Sequence, residues 1–355
     1  MAQQLNPVLI GRGLFIKGVI NMDEKKIVFS GIQPSGTPTI GNYIGAMRNF
    51  VALQQGYECY FCIVDLHAIT VRKDPAELRS NIKSLFALLI AIGLDPERCT
   101  LYVQSHVPAH AELCWILDCY AYMGELSRMI QFKEKSKGQE NVSVGLFNYP
   151  VLQVADILLY QTDLVPIGED QRQHVEITRD IAIRFNNLYS PTFKVPDMLI
   201  PKVGARIMSI NDPSKKMSKS SDDTNSYITL LDKPSEIASK FKKAVTDSEN
   251  EIRFDPENKP GVSNLLSIYA VMSGKTIEQA QKDFTDCPGY GPFKQRVADA
   301  VISVLEPIQQ RYDALVADRD LIDGLMAKGA SKAAYAASKT LSKVKRKIGF
   351  VPLGR

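Results

Sequence analysis

The sequence predicts an α/β protein: a doubly wound parallel sheet with a helical insertion, followed by an α-helical C-terminal region. Three observations carry the prediction. Short apolar runs near 26–30, 59–66 and 100–104 alternate with helical patterns, the arrangement of strands joined by crossover helices. The middle run, Cys59–Leu66, opens apolar without alternation, as a strand covered on both faces does. From Pro234 onward the apolar spacing is helical to the end. A chain of 355 residues exceeds what one core usually organises, which implies two domains or one domain with a large insertion.

Residues 1–21 hold no acid, and Gly11, Arg12, Gly13 and Lys17 break their apolar stretch. They are expected to be an extension ahead of a domain starting near Met22, the alternative being a short element packed on its surface. Lys26–Ser30 is the first strand. Gly31–Gly36 turns the chain, and a helix begins near Gly41. Cys59–Leu66 is the second strand. The next helix has signals at both ends: Asp74 to cap it, Pro75 at its first position, Glu77 at the capping-box position and Gly93 to stop it. Leu78, Ile82, Leu85, Leu89 and Ile92 are its apolar stripe. Thr100–Gln104 is the third strand. Ala109 to about Arg184 is mainly helical, interrupted by the polar stretch Gln131–Val144, which is expected to be a mobile loop. Pro191–Ile207 returns to short extended segments. The expected organisation is therefore 1–21 as extension, 22–213 as sheet domain with its helical insertion, and 214–355 as a loop followed by helices.

Composition excludes several classes. Apolar residues make up 45% and charged residues 23%, ordinary for a globular chain. No apolar run reaches the roughly 18 residues a membrane span needs. Six cysteines in this length are not a disulfide framework. Cys59 and Cys62 have C-x-x-C spacing but lie on a strand, so they face opposite sides, and no second pair follows; no metal site is expected, and a reducing cytoplasm fits. Net charge is +4, yet after Asp323 there are only bases (Lys328, Lys332, Lys339, Lys343, Lys345, Arg346, Lys347, Arg355). This basic end suits a polyanion or, equally, a solvated helix face.

Two segments carry chemistry. The first is the strand–turn–helix Phe29-Ser30-Gly31-Ile32-Gln33-Pro34-Ser35-Gly36, continued by Thr39-Ile40-Gly41-Asn42. Its glycines permit close backbone approach, and a helix starting there aims N–H groups at an anion. The second is Lys215-Lys216-Met217-Ser218-Lys219-Ser220, a loop whose spaced lysines and hydroxyls suit a polyphosphate leaving group. Alone, each also reads as a tight connection or a solvated basic loop. Together they resemble the class I aminoacyl-tRNA synthetases: Thr39–Asn42 stands in the place of the HIGH signature, and Lys216–Ser220 is the KMSKS signature unchanged. The resemblance is closer to the bacterial tryptophanyl branch and runs from about Lys26 into the C-terminal region. It implies a Rossmann-like nucleotide domain in which Gln33, Pro34, Ser35, Gly41 and Asn42 line the ATP site. Gly168, Glu169 and Asp170 hold the nucleotide from the other side. Ile207 offers backbone to adenine, and Lys216, Met217, Ser218, Lys219 and Ser220 close over the phosphates.

The pocket for the second substrate starts from spacing. Tyr149, Gln153, Asp156 and Tyr160 fall on one helix face, and the other faces are apolar. A carboxylate in such a run needs a donor. The resemblance makes that donor the indole N–H of L-tryptophan; from the residues alone, Arg179 or Arg184 is the alternative. The resemblance also places Tyr149 and Gln171 near the substrate amino group and walls the indole with Phe29, Gly31, His67, Val165 and Ile167, with Gln33 beside it. Gln153 stands where many relatives carry Met. His67 is read as a wall rather than a base, because the substrate carboxylate is already ionised.

The implied reaction is attack of the tryptophan carboxylate on the α-phosphate of ATP, with Mg²⁺, giving tryptophanyl-adenylate and pyrophosphate. Transfer to the 2′-hydroxyl of tRNA(Trp) follows. Lys216, Lys219 and Lys135, the last from the mobile loop, are the cations, and Thr39 supplies a neutral hydrogen bond to phosphate. A homodimer and anticodon reading by the helical C-terminal region are further implications. The rivals are a tyrosine-specific relative and a catalytically silent RNA-binding copy. A cluster held by C-terminal cysteines is excluded, since Cys287 is alone there.

Overall fold

Strand β1 (Ile27–Ile32) lies at the centre of a five-stranded parallel sheet of order β3-β2-β1-β4-β5 in the computed structural model, which describes residues 25–138, 140–168, 171–200 and 206–352. The extension expected at 1–21 and the domain start at Met22 lie outside the described residues. After β1 the chain enters helix through α1 (Ile40–Asn42), a π turn (Tyr43–Met47) and α2 (Arg48–Gly56). Strand β2 (Glu58–Ile63) then pairs with β1, Ile27 opposite Glu58. It is shorter than the expected Cys59–Leu66. Asp65 takes its carboxylate to the backbone N–H of Ser105 at 2.9 Å, and Asp65–Ala68 winds into a helical turn, α3.

Helix α4 (Pro75–Ala91) has the expected start: the Asp74 side chain accepts from the N–H groups of Ala76 and Glu77. Glu77 does not complete a capping box but accepts from Asn81 at 3.4 Å. Gly93 ends the run at φ +116°, a left-handed conformation that favours glycine. Strand β3 (Thr100–Val103) follows, paired with β2.

The insertion comprises α5 (Ala109–Asp118), α6 (Met123–Leu126), α7 (Ile130–Ser136) and α8 (Val144–Leu158). Helix α7 corrects the first part of the loop expected over Gln131–Val144, as far as Ser136; the described residues from there to α8 are non-helical. Phe132 packs edge-on to Phe147 at 5.1 Å, so an aromatic contact orders the polar stretch. A second correction is strand β4 (Leu164–Pro166), which falls inside a stretch expected to be helical. It is three residues long and ends in proline, too short for a period to show. It pairs with β1 through Val28 and Leu164, and with β5 (Asp197–Leu199) beyond α9 (Arg172–Tyr189).

The C-terminal half is helical as expected: α10 (Pro234–Lys243), α11 (Pro260–Met272), α12 (Ile277–Lys282), α13 (Tyr290–Ala317) and α14 (Arg319–Lys347). The two sheet faces support two cores. Val28, Cys59, Phe61 and Leu101 pack with α4, α11 and α13 on one face; Phe29, Tyr60, Cys62 and Tyr102 pack with α5, α8 and α9 on the other. Cys59 and Cys62 thus face opposite sides, as strand alternation requires. Helix α14 joins both cores. Its Ile322 and Met326 belong to the first, and its Ala333, Ala337, Leu341 and Val344 to the second. It passes the outer strand β3 at Gly329, where a Cβ would stand 1.9 Å from the Leu101 carbonyl oxygen.

Candidate active site at the switch point of the sheet

Strand β1 has neighbours running to either side in the sheet order, so a crevice opens beyond its C-terminal end, where doubly wound sheets bind ligands. The turn after β1 lines this crevice. Gly31 is exposed toward it, and a Cβ there would come 2.9 Å from Val64. Gln33 and Ser35 are exposed and Pro34 is buried. Thr39 and Asn42 form a reciprocal cap: the Thr39 N–H donates to Asn42 Oδ1 at 2.9 Å, and the Asn42 N–H to Thr39 Oγ1 at 3.3 Å. The Thr39 hydroxyl, 1% exposed, also donates to Asn42 Oδ1, so it serves the helix start in this structure.

The lysine-rich loop meets this turn. A Cβ on Gly41 would lie 3.6 Å from both Ile207 and Met217, ordinary contact distance, so the three segments meet at this position. Lys219 donates to the Gly36 carbonyl at 3.0 Å, across 183 residues of sequence. Burial, and then the charge of Lys73, bring Lys219 down to about 8. Lys216, Ser218 and Ser220 are exposed. The loop is a small hairpin: Met208 bridges Lys216, Met217 N–H donates to the Ile207 carbonyl at 3.1 Å, and Ser209 N–H to that of Lys215 at 2.8 Å. Asn264 of α11 grips its back, accepting from Met208 N–H at 2.9 Å and donating to the Met208 carbonyl at 3.0 Å.

On the other side of β1 lies a polar cluster built around Asp156, 1% exposed on α8. His67 Nε2 stands 2.8 Å from its Oδ2; His110 Nδ1 and Gln104 Nε2 each stand 2.6 Å from its Oδ1. Burial alone would push this carboxyl up; His110 and His67 beside it hold it well below the usual carboxylate range. Asp156 is therefore ionised at neutral pH. Its partners are not the arginines considered from sequence: Arg179 pairs with Asp197 at 2.7 Å and Arg184 with Glu125 at 2.6 Å.

Around the carboxylate, the Tyr149 ring is 6.1 Å from His67, edge-on, and its hydroxyl is 2.9 Å from His174 Nε2. Phe29 stacks on Tyr160 at 5.9 Å. Val165 and Ile167 are buried, and Gln153 and Gln171 half-buried. The Gln171 N–H donates to the Gly168 carbonyl at 3.0 Å. Lys135 is carried by α7, not by a loop, and its ammonium lies 5.1 Å from the Tyr149 ring centre. Glu169 and Asp170 lie outside the described residues.

Sequence reading missed Gln104 and His110. Gln104 follows the C-terminal end of β3, a position that itself suggests ligand proximity in this sheet type. His110 is 46 residues from Asp156, and no spacing links the two.

The fold and site define an α/β enzyme in which a lysine-bearing loop meets the turn after β1, beside a buried carboxylate cluster. The family described as tRNA synthetases class I (W and Y) matches residues 21–306, and the chain belongs to it. The chain is 55% identical to the tryptophan–tRNA ligase of Clostridium tetani, over 94% of this chain and 99% of that one. Its structure is similar to the tryptophanyl-tRNA synthetase of Mycoplasma pneumoniae (TM-score 0.84, 34% identity, 92% and 98% covered). It is also similar to that of Campylobacter jejuni complexed with ADP and tryptophan (TM-score 0.80, 32% identity, 91% and 100% covered).

Proposed function

We propose that this chain is a ligase that activates L-tryptophan with ATP and joins it to tRNA(Trp). The observation that carries the reading is the meeting of Gly36–Gly41 with Ile207 and the Met217–Lys219 loop, beside a buried ionised carboxylate. The tryptophan–tRNA ligases that match nearly end to end support the substrate.

In this reading the adenine rests against the Ile207 backbone and the phosphates lie between the Gly31–Asn42 turn and the lysine loop. Gly168, with Glu169 and Asp170, closes the nucleotide's other side. Lys216, Lys219 and Lys135 neutralise charge on the leaving pyrophosphate, so catalysis is positioning and electrostatic stabilisation. Mg²⁺ enters as part of the substrate, Mg–ATP: lysines and hydroxyls line the phosphates, which leaves the phosphate oxygens to hold the cation. The indole rests among Phe29, Gly31, His67, Val165 and Ile167, its N–H toward Asp156, and Tyr149 and Gln171 take the amino group.

The helical C-terminal region is proposed to read tRNA, with salt-dependent phosphate contacts. A homodimer is supported by exposed Trp115, Tyr122 and Met123 in the insertion. A cytoplasmic setting suits burial-raised thiols such as Cys59 and Cys114, each pushed up to about 12. Among the described residues no helix is long and apolar enough to cross a membrane.

Amino-acid-dependent exchange of labelled pyrophosphate into ATP tests the reading. Tryptophan alone should support exchange, and Asp156→Ala should lose it or become unselective. Exchange with tyrosine instead would overturn the substrate.

A further inference from the structure

We propose that His110 is a positioning residue for amino-acid selectivity: with Gln104 it saturates one oxygen of Asp156, leaving a single acceptor place, on the other oxygen, for a ring N–H. The proposal rests on the reading of Asp156 as the indole acceptor.

An ionised carboxylate has about four acceptor places, two on each oxygen. Oδ1 faces His110 Nδ1 and Gln104 Nε2, both at 2.6 Å, and has no place left. Oδ2 faces only His67 Nε2 among the described residues, at 2.8 Å, and keeps one. The carboxylate cannot donate, so Nδ1 of His110 and Nε2 of His67 carry the hydrogens. The Gln104 amide cannot be turned around, because its Oε1 accepts from the Leu66 N–H at 3.1 Å. That bond also ties the Asp156 network to the turn that carries His67.

His110, 0% exposed, is itself held from behind. Its Nε2 lies 2.9 Å from the Tyr160 hydroxyl and 3.2 Å from that of Tyr102. Burial keeps both phenols protonated, and the nearer, Tyr160, can donate to the single lone pair of that nitrogen. Tyr160 in turn stacks on Tyr60 at 4.4 Å and on Phe29. A chain of locked groups thus runs from the sheet through His110 to the carboxylate. Its effect is that a substrate with a ring N–H in line with Oδ2 completes the set, whereas a ring of the same shape without that hydrogen leaves the buried carboxylate one hydrogen bond short. Such a mismatch is where selectivity of many orders arises.

The test compares L-tryptophan with benzothienylalanine, in which sulfur replaces the ring N–H, by kcat/KM in pyrophosphate exchange. His110→Asn retains an amide near the Nδ1 position, while His110→Gln retains one near Nε2. The wild type should prefer tryptophan strongly. His110→Asn should keep that preference within a few-fold, and His110→Gln should lose about tenfold or more of it, with KM for ATP unchanged in both. Equal preferences in the two variants, or a better Gln variant, overturn the proposal. Should neither variant fold, Tyr160→Phe keeps the stacked ring and removes the hydroxyl behind Nε2; a few-fold loss of preference supports the proposal and an unchanged preference overturns it. A wild type that does not distinguish the two substrates overturns the reading of Asp156 itself.

Discussion

Lys219 is half-buried, hydrogen-bonded to Gly36 and shares its surroundings with Lys73. With its ammonium lowered to about 8, it is charged at pH 7 in the free enzyme and loses its proton as pH rises through 8. In the proposed phosphate role, kcat/KM for ATP should therefore fall above about pH 8. Lys219→Arg should move that inflection beyond the measurable range, since guanidinium stays charged. An inflection that persists in the Arg variant would assign it to another group. Asp156 shows how far a residue's part can be read in sequence. Its place in a helix whose other faces are apolar announced a buried carboxylate with a partner. The identity of the partners, His67, His110 and Gln104, depended on a sheet that brings β3 and α5 beside α8, and no local pattern encodes that.

At the scale of elements, the hairpin of the lysine loop is hydrogen-bonded from behind by a side chain of α11. Asn264, 6% exposed, makes two hydrogen bonds to the Met208 backbone, beside Ile207. Asn264→Ala should raise KM for ATP about tenfold, the equivalent of one to two neutral hydrogen bonds, and leave KM for tryptophan unchanged. A rise in both constants together would make the contact a general prop. Elements also divide into those the sequence announced and those it hid. The α4 cap, proline and glycine stop were all local, so its bounds were legible. Strand β4 was not, although it borders the site, because three residues held in place by β1 and β5 need no pattern of their own. Helix α7 was hidden by its lysines, which mask the packing of Phe132 on Phe147.

Over the whole molecule, the sheet and the C-terminal helices share one core. Val28 and Phe61 belong to the same cluster as Leu265, Phe293 and Leu305, and Arg311 donates to the Ala91 carbonyl at the end of α4 at 2.7 Å. The basic C-terminal end is partly used inside the chain. Lys328 pairs with Glu97, Lys345 with Glu112, and Lys343 donates to the Thr192 carbonyl at 3.2 Å. These lysines fasten α14 to the sheet and insertion, a third use beside the polyanion contact and the solvated face. Gly329→Val should destabilise the protein by about 3 kcal/mol through forced separation of α14 from β3, seen as a lower urea midpoint, with tryptophan selectivity unaltered. An unchanged midpoint would show that the helix can shift at no cost.

The passage of α14 along β3 also orders events in time. The edge strand leaves the ribosome early, while the helix that covers it, and pairs Lys328 with a residue 231 positions earlier, is made much later. Until then β3 presents unpaired backbone groups that invite another chain. The nascent protein thus spends most of its synthesis with an adhesive side, and closure of so distant a contact is slow. A fragment ending at Asp318 should accumulate as aggregates, and adding residues 319–352 as a separate peptide during refolding should return soluble material. Arrival of α14, rather than completion of the nucleotide crevice, is then the step that buries the adhesive side of this enzyme.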